Sequence, residues 1–164
     1  MNREILFRGQ IRKNGGNAAI GTWGKFSGQW VYGGIFPCTG SLSIIYGWES
    51  EKERAACDIK KWTVYSDTVG QYTGLTDKNG VRIFEGDIVR YIDPDTQEYD
   101  IGEKYVADWD EEEACILFEC FVYGESISYE VFNKKQAKNL EVIGNIFDNP
   151  ELLKEASNGQ TNHP

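Results

Sequence analysis

Apolar positions fall in short runs broken by Gly, Asn and Asp, and helical three-to-four spacing is scarce along the chain. This pattern predicts a mainly β chain with short connections. In the first half it places strands over residues 5–11, 23–26, 29–36 and 42–48, the second and third turning around Ser27-Gly28. Twelve of the eighteen glycines precede Thr76, so this is a glycine-rich β region. The stretch 50–61 breaks the pattern. Ser50 with Glu53 three residues later has the form of a capping box, which predicts a short helix or turn over 51–57.

Beyond Thr63 the punctuation is sharper. Asp77-Lys78-Asn79-Gly80 is a turn signal, because Asn-Gly tolerates the positive φ of a tight reversal. Strands are predicted over 81–84, 88–92, 104–109, 115–122, 126–132 and 140–146, the later ones forming a meander of about five strands. Asn149-Pro150-Glu151 reads as a helix start, giving a short helix over 150–156 and then a polar tail. The expected division is an N-terminal β region over 1–68, a barrel-sized region over 69–149, and the helix and tail over 150–164.

Composition narrows the function classes. With 40% apolar and 26% charged residues, the chain has the make-up of a folded globular protein. It holds no apolar run near the ~20 residues of a membrane helix and no signal-peptide pattern at its start, so a cytoplasmic protein without a membrane partner is expected. The net charge of -9 is unevenly placed. Residues 1–75 carry nine Lys/Arg against six Asp/Glu, whereas residues 76–164 carry eight against twenty. The acidic half repels a polyanion, so any nucleic-acid contact is expected to be weak and to lie in residues 1–40.

Catalytic and metal signatures are sparse. Cys38, Cys57, Cys115 and Cys120 lack the paired spacing of a zinc site, and Cys115 and Cys120 are expected to be buried thiols on opposite faces of one strand. His163, the single imidazole, sits in the polar tail, which argues against a Cys-His or Ser-His-Asp group. The acidic run 108–113 has no Gly and no EF-hand order, so it reads as a solvated hairpin tip. Gly21, Gly24 and Gly28 do not form a phosphate-loop motif. No metal and no cofactor are expected. A mixed group is left: Arg3, Arg8, Arg12, Lys13 and Lys25 with Trp23, Phe26, Trp30 and Tyr32. Two readings of it stay open. The rings form a core edged by the cations, or the two together form a partner or nucleic-acid surface.

The segment VGQYTGLTDKNGVRIFEGDIV, residues 69–89, carries a resemblance. Its ordered matches are Gln71-Tyr72-Thr73-Gly74-Leu75, then Asp77-Lys78-Asn79-Gly80, then Glu85-Gly86-Asp87-Ile88-Val89, with REILFRG (3–9) and LEVIGNIFDNPELL (140–153) at the two ends. In these it resembles the YopX protein family, small proteins carried by bacteriophages and prophages. The resemblance implies a mainly β fold whose C-terminal part is an SH3-like small barrel, and it assigns no catalytic residue. The motif also has a reading independent of the family: Gly74, Gly80 and Gly86 recur every six residues between short apolar pieces, as bend points would. Gln71, Tyr72, Asp77, Glu85 and Asp87 are then structural, like the glycines.

The expected function is non-enzymatic binding of a protein partner in the bacterial host cytoplasm, with nucleic acid as a weaker partner and homo-oligomers compatible. One alternative is an acidic nucleic-acid mimic acting through residues 93–113. The other is an enzyme whose carboxylates converge from distant strands.

Overall fold

The computed structural model describes residues 4–13, 28–38, 40–50, 57–99 and 103–154. These residues are mainly β and form two antiparallel sheets and one short helix. Among the described residues, no helix is long and apolar enough to cross a membrane. The chain divides into two compact units, Met1–Tyr72 and Thr73–Pro164.

The first unit holds β1 (Phe7–Gln10), β2 (Trp30–Cys38), β3 (Ser41–Ser50), β4 (Cys57–Val64) and the start of β5 (Gly70–Thr76), in the order β4-β3-β2-β1-β5. β2 serves two partners in succession. Its residues 30–33 pair with β1 and its residues 34–38 with β3, so the change falls at Gly33-Gly34. A Cβ on Gly33 would collide with the backbone carbonyl of Ile45, and only glycine fits this crossing. The ends of β1 and β4 are joined by an isolated bridge between Ile11 and Val64. It is flanked by bonds from Arg12 N to Thr63 O (3.0 Å) and from Tyr65 N to Gln10 O (2.9 Å). Ile11, Ile44 and Val64 are buried there. The Thr68 hydroxyl accepts from Gln10 N (2.9 Å) and donates to Tyr65 O (2.8 Å), fixing the 3-10 turn Ser66–Thr68 to β1.

In the second unit the end of β5 pairs with β6 (Arg82–Phe84). A five-stranded sheet follows: β7 (Asp87–Tyr91), β8 (Glu103–Asp110), β9 (Cys115–Val122), β10 (Glu125–Glu130) and β11 (Leu140–Asn145), in the order β10-β9-β8-β7-β11. Alternation along these strands sends Val89, Tyr105, Ala107, Phe118, Cys120 and Leu140 into one core. Phe132 is its keystone, edge-on to Phe118 (5.0 Å) and Tyr105 (5.5 Å) and parallel to Tyr91 (6.2 Å). Burying a ring of this size stabilises the unit by roughly 1.5–3 kcal/mol. The helix α1 covers Glu151–Lys154, and the Lys104 ammonium donates to the Leu152 carbonyl within it.

Several expectations change. The predicted helix over 51–57 falls mostly outside the described residues, and Cys57 already belongs to β4. β5 was not expected as a strand at all, because its Gly74 read as a bend. The meander covers β7 to β10 only; β11 returns to pair with β7, carried there by the 3-10 turn Gln136–Asn139 and the bond from Ile92 N to Asn139 O (2.8 Å). Among the described pairings the five-stranded sheet is open, with β10 and β11 at its edges. Cys120 is buried as expected, whereas Cys115, at the hairpin end of β9, is only half-buried. The expected strand 23–26 lies outside the described residues.

Candidate binding surface

In an antiparallel sheet, residues opposite one another and residues two apart project to the same side. The register sets Arg8 opposite Tyr32, Gln10 opposite Trp30, Phe36 opposite Ser43, Ser43 opposite Thr63 and Ile45 opposite Lys61. Arg8, Trp30, Tyr32, Phe36 and Lys61 therefore share one face of the first unit. Cations lie over rings on it: Arg8 stands 4.6 Å from the Trp30 ring centre and the Lys61 ammonium 5.0 Å from that of Phe36. Past the end of β1, Arg12 lies 5.9 Å from the Tyr65 ring. Such pairs contribute about 0.5–1 kcal/mol when exposed and about 2 when desolvated.

Exposure sorts these residues. Tyr32 (48%) and Phe36 (40%) are open to solvent, and Arg12 and Lys13 are exposed. Arg8 is only 5% exposed, so it acts as a packed cation under Trp30 rather than as a surface contact. Trp30 is half-buried. Arg3, Trp23, Lys25 and Phe26 lie outside the described residues. Lys61, Phe36 and Tyr65 were not singled out in the sequence. Their placement depends on the β2-β3-β4 register, and the only local signal was the cationic and aromatic pair Lys61-Trp62.

The motif residues of 71–87 do different work. Gln71 pairs with Phe7, and Tyr72 is buried, its N–H donating to Leu6 O (2.8 Å). Gly74, Gly80 and Gly86 all have positive φ. Gly86 is the most constrained: its N–H donates to Ala107 O (2.8 Å), its carbonyl accepts from Ile146 N (2.9 Å), and an added Cβ would lie 3.2 Å from Phe147. Asp77 is fully buried. Its Oδ1 accepts from Asn79 N and Val81 N, both at 2.8 Å, and its Oδ2 from Val142 N at 3.1 Å. Asp87, also buried, accepts from Phe84 N at 2.7 Å. Both carboxylates satisfy backbone N–H groups, those of Asn79 and Val81 at the turn and those of Phe84 in β6 and Val142 in β11. Glu85 is half-buried.

Elsewhere in the second unit, one oxygen of Glu141 accepts from Arg90 Nε (2.9 Å), Arg90 Nη2 (2.7 Å) and the Tyr99 hydroxyl (3.0 Å), with the Lys78 ammonium at 3.3 Å. Burial pushes the Glu141 carboxyl up, but the bonds from Arg90, Tyr99 and Lys78 outweigh it and hold the group below its ordinary range. Burial pushes the Cys120 thiol up, which disfavours the thiolate a nucleophile needs. Burial, then the bond from its hydroxyl to Glu103 (2.9 Å), drives Tyr105 far above its ordinary value. Asp93, Asp95, Glu98 and Glu111 to Glu113 are exposed. Among the described residues, no group of three His, Cys, Asp or Glu is placed to hold a metal ion.

Residues 22–154 match the family described as YopX protein. The chain belongs to the YopX family. A search of curated proteins found no match. Among solved structures, the chain is similar to the crystal structure of protein EF1440 from Enterococcus faecalis, with 22% identity and a TM-score of 0.57. That similarity covers 93% of this chain and 99% of the other, and it concerns the fold. The YopX match takes in the whole 71–87 motif together with Trp30, Tyr32, Phe36 and Lys61. Arg3, Arg8 and Arg12 precede it.

Proposed function

We propose that this YopX protein acts by binding a partner, without catalysis, through the cation-aromatic face of its first unit. The observation that carries the reading is the set of cations held over rings beside open Tyr32 and Phe36. Tyr, Trp and Arg dominate the energetics of protein interfaces, and cations select an acidic counterpart. The partner is a protein with an acidic surface, met in the cytoplasm of a bacterial host where the chain serves a phage or prophage as an accessory. The second unit is a small SH3-like platform. Nucleic acid, which also presents anions and planar groups, is a weak second ligand.

The test is capture from prophage-induced cells by the wild type and by an Arg12→Glu, Lys61→Glu double variant, each with and without nuclease. A protein that survives nuclease and is lost with the double variant is the expected result. Capture that the double variant retains would overturn the assignment of the surface, and nuclease-sensitive capture would make nucleic acid the partner. Mimicry of nucleic acid is a second reading, favoured by the exposure of Asp93, Asp95, Glu98 and Glu111 to Glu113. It predicts a basic partner, released when Glu111, Glu112 and Glu113 are changed to Gln.

A further inference from the structure

We propose that the second unit carries a phosphate-binding cleft walled by Lys78 and Lys138. This proposal is independent of the first unit's face. The cleft has a volume of about 260 Å³ and is lined by Lys78, Ile92, Gln97, Tyr99, Lys138 and Asn139, of which only Ile92 is aliphatic. It lies where the motif turn at 77–80 meets the loop 93–99 and the 3-10 turn Gln136–Asn139.

Charge is the first argument. Arg90 places two donors on Glu141 and neutralises it, so the Lys78 ammonium at 3.3 Å adds a surplus positive charge. Lys138 has no carboxylate partner among the described residues; its ammonium donates to Thr76 Oγ1 (2.8 Å) and Asp77 O (3.3 Å). Both cations are thus tethered around one cleft instead of swinging apart in water, and they stand in the unit that holds twenty acidic residues against eight basic ones. An anion in the cleft relieves their repulsion.

Donor geometry is the second argument. An ammonium has three N–H donors. Lys78 uses two, on Tyr99 and Glu141, and Lys138 uses two, on Thr76 and Asp77. The Gln97 amide uses one N–H on Pro94 O (2.9 Å) and the Asn139 amide one on the Tyr91 hydroxyl (3.4 Å). One donor remains on each of the four side chains. Four donors from three segments, Lys138 and Asn139 sharing the 3-10 turn, suit a tetrahedral oxyanion, and lysine binds phosphate as a point charge; a planar carboxylate is better matched by an arginine fork, and Arg90 already grips Glu141. The volume is below the roughly 300–1,000 Å³ of a site that engulfs a drug-sized ligand, so the cleft takes a phosphate group, free or at the end of a small phosphomonoester.

The experiment is an NMR titration of the 15N-labelled full chain with orthophosphate and with AMP, each against sodium chloride of equal ionic strength. Saturable shifts of the Gln97 and Asn139 side-chain amides at roughly millimolar ligand are expected. Lys138→Met should weaken binding by about tenfold or more, as loss of a charged donor does, while Lys135→Met, just before the same turn and outside the cleft lining, should leave it unchanged. Tighter binding of AMP identifies a phosphomonoester and equal binding identifies free phosphate; both sustain the site. Shifts no larger than those with chloride, or binding that Lys138→Met retains, would overturn it. Should Lys138→Met fail to fold, the wild-type shifts at Gln97 and Asn139 decide alone.

Discussion

The two units differ in charge balance and in what their carboxylates hold. In the first, nine basic residues face six acidic ones, and the described cations Arg8, Arg12 and Lys61 lie on aromatic rings. In the second, twenty acidic residues face eight basic ones; Arg90 (3.5 Å) and Lys78 (5.5 Å) also lie over a ring, that of Tyr99, but the buried carboxylates Asp77 and Asp87 are bound to the backbone. The lesson is that an acidic balance does not by itself make an acidic surface function. A carboxylate that holds three backbone N–H groups is part of the scaffold, and removing it costs stability. An exposed cation over a ring contributes little to folding, so its loss registers in binding.

The sharpest way to break this contrast is Asp77→Ala. It leaves the N–H groups of Asn79, Val81 and Val142 without their acceptor inside the second unit, and a loss of about 3 kcal/mol or more is expected in urea unfolding. A loss below about 1 kcal/mol would remove the scaffold role. Backbone geometry supplies the next effects, one in each unit. Gly86→Val at φ +78° should cost about 1–3 kcal/mol, against about 0.5 kcal/mol for Glu112→Gln at the exposed tip. Gly33→Ala should cost about 1–3 kcal/mol in the first unit by forcing β2 away from Ile45. Equal losses for Gly86→Val and Glu112→Gln would mean that the acidic tip, not the motif turn, is structural.

A smaller effect appears in acid. The folded Glu141 carboxyl titrates below its unfolded value, so its contribution is present above about pH 4.3 and is lost as pH falls through the lower folded value. Glu141→Gln should flatten that part of the acid limb by about 0.5–1 kcal/mol in a pH series of melting curves. Lys78 is raised: burial lowers it, but the bonds to Tyr99 and Glu141 outweigh that. Its contribution therefore persists below about pH 10.4 and fades as pH rises through the folded value.

How much of this was legible in the sequence depends on range. β9 was expected over 115–122 and is found at Cys115–Val122, because its alternation is local and its turns are marked. The 77–80 turn was equally plain, but the hold of Asp77 on Val142, sixty-five residues on, is a tertiary fact. β4 was hidden because the capping-box form of Ser50 and Glu53 competed with the strand pattern of 57–64. The same limit applies to the site. Arg8 and Trp30 were chosen for their types, and their stacking bears on that choice, but the burial of Arg8 was not readable from one strand. Lys61 meets Phe36 only through two strand pairings, and Arg90 meets Glu141 across fifty-one residues.

The contrast between the units is tested most directly by measuring melting temperature and partner capture on the same preparations of Arg12→Glu, Lys61→Glu and of Asp77→Asn. The account predicts a crossed result. The double variant, at exposed Arg12 and half-buried Lys61, should lose no more than about 1 kcal/mol of stability and lose the partner. Asp77→Asn should melt several degrees lower and, at a temperature where it is folded, still capture the partner. A double variant that keeps the partner, or an Asp77→Asn protein that is fully stable but no longer binds, would contradict the assignment of binding to the first unit and of structure to the motif.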